Sequence, residues 1–442
     1  MRSSSSPAHA ASVDTPDVPP SGPIAPLARR RTRPAAALLA AALIGLAGCG
    51  GGGGEPAATP APAPAPSPAP APAPAPAPSP APAPAPPPIV SDFKWTLPAG
   101  WTEPPIPADN PMSVAKVELG RHLFFDVRLS GNRQFSCSTC HQRIAGFGDS
   151  RVTPFGSTGQ RLVRNSQPLA NVAWFGLLSW SDPTATTLEQ QMLTPMFGTV
   201  PVEMGVDDGN RDAVLARFAA EADYRARFAA SFPGEADPLT WPNLIRAIAA
   251  FQRSIVSTDS RHDRALRGEL TLTDAEQRGR DLFFSSRAGC STCHGGNTFA
   301  EPDAAAVPAG IRHFNIGLYS IGNSGAYPSN NRGLIDRTGL AADMGRFRTP
   351  SLRNVEKTSP YMNDGSVATL STVLDIKIRG GRELLTGPNA GDGAANPWKS
   401  PLAGPLTTIT PTDKADLIAF LRTLTDPTFL SNPAYANPFA TP

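Results

Sequence analysis

Cys137-Ser138-Thr139-Cys140-His141 and Cys290-Ser291-Thr292-Cys293-His294 decide how this chain is read. Cys-x-x-Cys-His is the attachment pattern of a c-type haem. The two thiols form thioethers with the porphyrin, and the adjacent imidazole becomes an axial ligand of the iron. Structural zinc or disulfides would also use the cysteines, but neither explains a histidine that recurs in step with each pair. The approach to each motif repeats as well. Leu119-Gly120-Arg121-His122-Leu123-Phe124-Phe125 leads into the first, and Arg278-Gly279-Arg280-Asp281-Leu282-Phe283-Phe284 into the second. Such a repeat predicts two cytochrome c-like units, each with one covalently bound haem c.

Four of the five cysteines belong to these motifs, leaving Cys49. It closes Leu46-Ala47-Gly48-Cys49, behind the basic cluster Arg29-Arg30-Arg31-Thr32-Arg33 and the small apolar run from Ala35 to Ala47. A charged segment, a short apolar segment and a small-residue cleavage site together make an export signal over residues 1–49. The apolar run is too short to span a membrane comfortably. Cys49 stands where bacterial lipoproteins carry their lipidated cysteine, so the expected membrane contact is an N-terminal lipid anchor and nothing else. Residues 50–90 are a glycine run followed by an Ala-Pro repeat, a polyproline II spacer that rises ~3.1 Å per residue and reaches up to ~100 Å. Haem attachment and export signal agree on a periplasmic location. Lys plus Arg number 39 against 37 Asp plus Glu, a net charge of +2 that gives no case for nucleic acid.

Residues 91–442 are long enough for two domains of ordinary size, expected at 91–262 and 263–442. Apolar periodicity predicts helices at Val114–Phe125, Asp212–Phe232, Trp241–Val256, Thr273–Phe284, Leu370–Arg379 and Lys414–Leu424. Thr273 and Glu276 form a capping box. Strand-like alternation is scarce, so the fold class is mainly α. Long connections rich in Gly, Pro and Asn, such as 301–346, are expected to wrap the haems.

Further strings carry a family resemblance across Trp95–Phe429. They include Asp109-Asn110-Pro111-Met112-Ser113, Arg128-Leu129-Ser130-Gly131-Asn132, Met196-Phe197-Gly198-Thr199 and Pro201-Val202-Glu203-Met204-Gly205. Arg348-Thr349-Pro350-Ser351-Leu352-Arg353-Asn354 and Ser359-Pro360-Tyr361-Met362-Asn363-Asp364-Gly365-Ser366 complete the set. In these the chain resembles the bacterial di-haem cytochrome c peroxidase and MauG superfamily, nearest its methanobactin-operon branch. The resemblance implies an oxidase that uses hydrogen peroxide, in some branches acting on a tryptophan of another protein.

The resemblance also implies roles for particular residues. Glu203 becomes the acid–base group that moves a proton during O–O cleavage. Gln191, with Gln190 adjoining it, becomes a hydrogen-bonding neighbour of peroxide, and Trp180 the indole relay between the haems. Asn165, Thr358 and Pro360 match an inter-haem calcium site, the last two through backbone carbonyls. Peroxidases of the family that require reductive activation carry a second histidine shortly after the first motif. Here no histidine occurs between His141 and His262, so an open first haem is expected.

At the second haem the family's Met or Tyr ligand falls on Lys377. Leu370, Val373, Leu374 and Lys377 share one helical stripe, which puts the lysine on an apolar face. Burial lowers a lysine's pKa and makes a neutral, iron-binding amine available. Met362, Met344, His313 or an open position are the alternatives. The expected function is therefore a periplasmic di-haem oxidase that spends peroxide on a partner protein. A cytochrome c peroxidase fed by a small cytochrome or cupredoxin and a non-catalytic electron-transfer cytochrome are the other readings.

Overall fold

The computed structural model describes residues 91–308 and 310–440. The export signal with Cys49, and the spacer 50–90, lie outside the described residues. In chain order the longer helices are α1 (Val114–Phe125), α2 (Leu188–Phe197), α3 (Arg211–Ala219), α4 (Ala222–Ser231), α5 (Trp241–Ser254), α6 (Asp274–Phe284), α7 (Leu370–Arg379) and α8 (Pro411–Arg422). The strands among the described residues form two short antiparallel ladders. β1 (His313–Phe314) pairs with β2 (Phe347–Arg348), placing His313 opposite Arg348, and β3 (Glu383–Leu384) pairs with β4 (Gly391–Asp392). No helix among the described residues is long and apolar enough to cross a membrane.

Two helix crossings organise the fold, and one glycine permits each. Where α1 crosses α5, a Cβ on Gly120 would overlap the Ala247 carbonyl oxygen and lie 2.9 Å from the Phe251 Cβ. Where α6 crosses α8, a Cβ on Gly279 would overlap the Asp416 carbonyl oxygen and lie 3.0 Å from the Phe420 Cβ. The repeated Gly-Arg pairs in the sequence thus mark equivalent close crossings in two cytochrome c-like halves, where only glycine lets the backbones meet. Each crossing carries its own core. Leu119, Leu123, Phe124, Ile248 and Phe251 are buried in the first, and Leu282, Phe283, Leu417, Phe420 and Leu421 in the second.

The helices start where the side chains can cap them. Ser113 accepts from the Lys116 N–H at 3.2 Å, and Thr273 and Glu276 cap each other reciprocally, as their spacing predicts. The one periodic stretch that departs from expectation is Asp212–Phe232, which is two helices. Glu221 is extended (φ −90°, ψ 121°). Phe218 and Tyr224, six residues apart, would point about 120° apart on a continuous helix. The break brings both rings to the first core, edge-on at 4.9 Å, and lets the Tyr224 hydroxyl reach Asp126 at 2.6 Å.

The end of the chain returns to the first core. Phe429 and Tyr435 are buried there, and the Tyr435 hydroxyl donates to the Ser254 carbonyl at 2.8 Å. A third cluster joins Trp180 to Leu318, Tyr319, Tyr327 and Phe347. Leu318, Tyr319 and Tyr327 come from the long connection after the second motif.

Candidate active site

The two pentapeptides fold alike. Cys137–Cys140 makes one helical turn and Cys290–Thr292 one turn of 3-10 helix, each closed by the histidine N–H donating to the first cysteine's carbonyl (3.0 and 2.9 Å). His141 Nδ1 lies 2.9 Å from the Phe147 carbonyl oxygen, and His294 Nδ1 lies 3.1 Å from that of Phe299. A proton on Nδ1, donated to a carbonyl, leaves the lone pair on Nε2 and fixes the ring for coordination. Both phenylalanines hold left-handed backbones (φ 61° and 53°), a conformation disfavoured for bulky residues that here aims each carbonyl at its imidazole. Nothing in the sequence marks Phe147 or Phe299 for this task.

Burial keeps both imidazoles neutral, His294 down to about 4, which is the form that binds iron. The four cysteines are unbridged, and burial pushes Cys137 and Cys140 up to about 12 and Cys290 to about 11.

The second motif opens on a largely apolar cavity of about 270 Å³. Cys290, Cys293 and His294 line it, as do Lys377, Leu370, Val373 and Leu374 of α7. Burial lowers the lysine's pKa, and its side chain makes no hydrogen bond or ion pair with the described residues. Its charge in turn helps lower His294. Met362 also lines the cavity, whereas Met344 and His313 are not among its lining residues.

Arg348 is buried and lines the same cavity, with no ion pair to a carboxylate among the described residues. It donates to Gln167 Oε1 and to the Thr349 carbonyl (3.1 Å), lies over the Phe175 ring at 5.0 Å, and is lowered to about 10 by burial alone. A buried arginine and a lysine whose amine is shifted toward its neutral form, neither with an acid partner among the described residues, in an apolar cavity beside two thiols and a neutral imidazole, fit a haem: acidic propionates for Arg348 and an iron for the nitrogen donors.

Trp180, Asn165, Thr358 and Pro360 line the same cavity. The Trp180 indole N–H donates to the Asn165 carbonyl at 2.9 Å. The Asn165 amide donates to the carbonyls of Arg151 and Val152 (3.0 and 3.1 Å), and its Oδ1 accepts from no described residue. Among the described residues no group of three His, Cys, Asp or Glu side chains could hold a metal. A calcium ion here would rely on amide and carbonyl oxygens.

Glu203 sits beside the first motif, close enough that its charge helps raise both Cys137 and Cys140. Its loop is clamped from three sides. Ser157 N–H donates to the Glu203 carbonyl (2.7 Å), Gly131 N–H to the Met204 carbonyl (2.8 Å), and Met204 N–H to the Pro195 carbonyl of α2 (3.0 Å). Gly156 and Gly131 allow this approach, since a Cβ on either would overlap a carbonyl oxygen of Val202 or Gly205. The backbone is thus fixed while the carboxyl is left partly buried, with no hydrogen-bond or ion-pair partner among the described residues. Desolvation pushes it up to about 7.

Gln191 lies on α2, the helix that carries the Pro195 clamp. Its side chain is partly buried and makes no hydrogen bond with the described residues. Gln190 is spent on the cap, where its Oε1 accepts from the Thr187 N–H at 3.3 Å.

Residues 114–271 match the family model for di-haem cytochrome c peroxidase. The chain is 34% identical over 351 residues to the cytochrome-c peroxidase IdrP1 of Denitromonas iodatirespirans, covering 74% of this chain and 87% of that one. It is 33% identical over 279 residues to the methylamine utilization protein MauG of Methylorubrum extorquens, covering 63% and 73%. Among solved structures, a MauG-like protein associated with microbial copper homeostasis superposes with a TM-score of 0.76 at 48% identity, covering 79% of this chain and all of that one. The diheme peroxidase BthA of Burkholderia thailandensis follows at 0.55 and 25%, covering 74% and 90%. The chain belongs to the di-haem cytochrome c peroxidase and MauG family, oxidoreductases that act on peroxide and carry two covalent haems.

Proposed function

We propose that this chain is an exported, periplasmic di-haem oxidase that activates hydrogen peroxide at the His141 site and takes the electrons from a partner protein, at a tryptophan. The observation that carries the reading is Glu203: an unpartnered carboxyl near neutrality, on a rigid loop beside the first motif. When bound there, haem supplies an iron able to hold peroxide and accept its oxidising equivalents. Glu203 takes the proton from the near oxygen and returns it to the far one, a transfer favoured when the group's pKa is close to the working pH. Gln191 orients the peroxide by hydrogen bonding. Trp180 carries electrons between the two sites, and the Lys377 amine would be the protein donor to iron at the second.

The other described histidines are built into packing away from the first motif's own loop, which supports an open first site. His122 Nδ1 is 2.9 Å from the Glu118 carbonyl, His262 lies between the Phe299 and Phe420 rings, and His313 lies in β1. In the same reading residues 91–262 and 263–442 are the two haem domains, Asn165, Thr358 and Pro360 bind calcium, and a lipid on Cys49 tethers the enzyme. A structural neighbour tied to copper homeostasis suggests a copper-binding protein as the substrate.

Stopped-flow mixing of the ferric, haem-loaded protein with one equivalent of peroxide tests this. A rapid change in both haem spectra without prior reduction is expected, followed by oxygen incorporation into a tryptophan of the partner. Reaction only after one-electron reduction would instead select a cytochrome c peroxidase fed by a small redox protein, the reading favoured by the names of several relatives. Inertness in both states would leave an electron-transfer cytochrome.

A further inference from the structure

Three of the six tryptophans meet at the surface. Trp174 stands edge-on to Trp95 (5.9 Å between centroids) and to Trp101 (5.1 Å), and Phe93 packs on Trp95 at 5.0 Å. All four rings are partly exposed. The Trp174 indole N–H donates to the Thr102 carbonyl at 2.9 Å. The contacts dock residues 93–102 onto the protein, but docking alone does not call for three indoles, the most readily oxidised of the large apolar rings.

The cluster is joined to the second haem motif by unbroken packing. His294 rests on the Phe299 carbonyl at 3.1 Å. The Arg353 guanidinium lies 5.7 Å from the Phe299 ring and 5.0 Å from the Trp101 ring, and its Nε donates to the Asn297 carbonyl at 2.6 Å. Asn297 in turn donates to the Gly100 carbonyl at 3.0 Å, beside Trp101. A continuous series of protein contacts thus runs from the His294 imidazole to the Trp101 indole.

Charge gives it a direction. Asp263 pairs with Arg353 through two hydrogen bonds of 2.7 and 3.0 Å, and it is the guanidinium that lies over the Trp101 ring, 5.0 Å from its centroid. A positive charge there opposes removal of an electron from Trp101 more than from the indoles farther out.

We propose that Trp95, Trp101 and Trp174 form a surface electron-donor site through which oxidising equivalents reach the exterior, resting on the Trp95–Trp174 pair. The inference depends on the peroxide reading above. Peroxide is the oxidant. One electron passes from the cluster to the oxidised centre, an indole is oxidised by one electron, and no bond forms or breaks in that step. The Nε1 proton of Trp174 stays on the ring, because the Thr102 carbonyl is too weak a base to take it. A partner's aromatic side chain docked on the cluster would refill it; without a partner the indoles themselves are consumed.

The test uses the haem-loaded protein and peroxide without any partner. An indole radical is expected in freeze-quenched electron paramagnetic resonance spectra, and it should be lost in the W95F/W174F double variant, whose unchanged resting haem spectrum reports folding. In the unsubstituted protein, excess peroxide should add oxygen to the peptides bearing Trp95 and Trp174, a readout that does not depend on the variant folding. Haem spectra that respond to peroxide while those peptides stay unmodified, or a radical that persists in the double variant, would overturn the proposal and leave the peroxide reading standing. Haem spectra that do not respond at all would remove both.

Discussion

Glu203→Gln removes the only charge this side chain brings to the first site and preserves its shape. The carboxyl titrates near 7 because burial disfavours its ionised form and no donor compensates. About one tenth is ionised at pH 6, about half at pH 7 and about nine tenths at pH 8. The rate of the reaction with peroxide is therefore expected to rise through this window and level off above it, since only the carboxylate accepts the proton. An amide cannot, and the rate should fall by ~10²–10⁴-fold, a barrier increase of ~3–5 kcal/mol, with the rising limb gone.

The same group leaves a mark on stability. The unfolded chain loses this proton near 4.5 and the folded one near 7. Between those values the unfolded state is the one that has released its proton, so stability falls as pH rises across the window. The loss is ~1–2 kcal/mol, discounted because the side chain is partly exposed. Glu203→Gln should abolish that slope. Stopped-flow spectroscopy and thermal melts of the haem-loaded protein between pH 5 and 9 measure both effects. A variant rate within about threefold of the parent, with the pH limb intact, would refute the role assigned to Glu203.

Gly279→Ala places a methyl group on the Asp416 carbonyl, forces α6 and α8 apart, and should cost ~3 kcal/mol or more in a thermal melt. Asp263→Asn leaves Arg353 as a buried, uncompensated cation and should cost ~3–5 kcal/mol by denaturant titration. Lys377→Met exchanges a nitrogen donor for a thioether and should raise the potential of the second haem by on the order of 100 mV in a spectroelectrochemical titration. An unchanged potential would take Lys377 away from that iron.

Local chemistry was legible before any coordinates. Cys-x-x-Cys-His names its cofactor because attachment needs those atoms at that spacing, and the twin Gly-Arg approaches announced two like halves. Apolar periodicity located α1 and α7 to the residue, and the stripe through Leu370, Val373, Leu374 and Lys377 put the lysine on an inward face. The same periodicity failed at Asp212–Phe232, because a break chosen by the burial of Phe218 and Tyr224 leaves no trace in helical spacing.

What only the tertiary structure decided are contacts between residues far apart in the chain. Phe147 and Phe299 orient the imidazoles through backbone carbonyls, which any residue type possesses. Ser157, Gly131 and Pro195 clamp the Glu203 loop, and the missing partner that lifts Glu203 toward neutrality is a property of its surroundings. Arg348, Lys377, Trp180 and Asn165 converge on one cavity from separate segments. Desolvation and convergence depend on what else occupies a volume, and a linear pattern records neighbours along the chain, not neighbours in space.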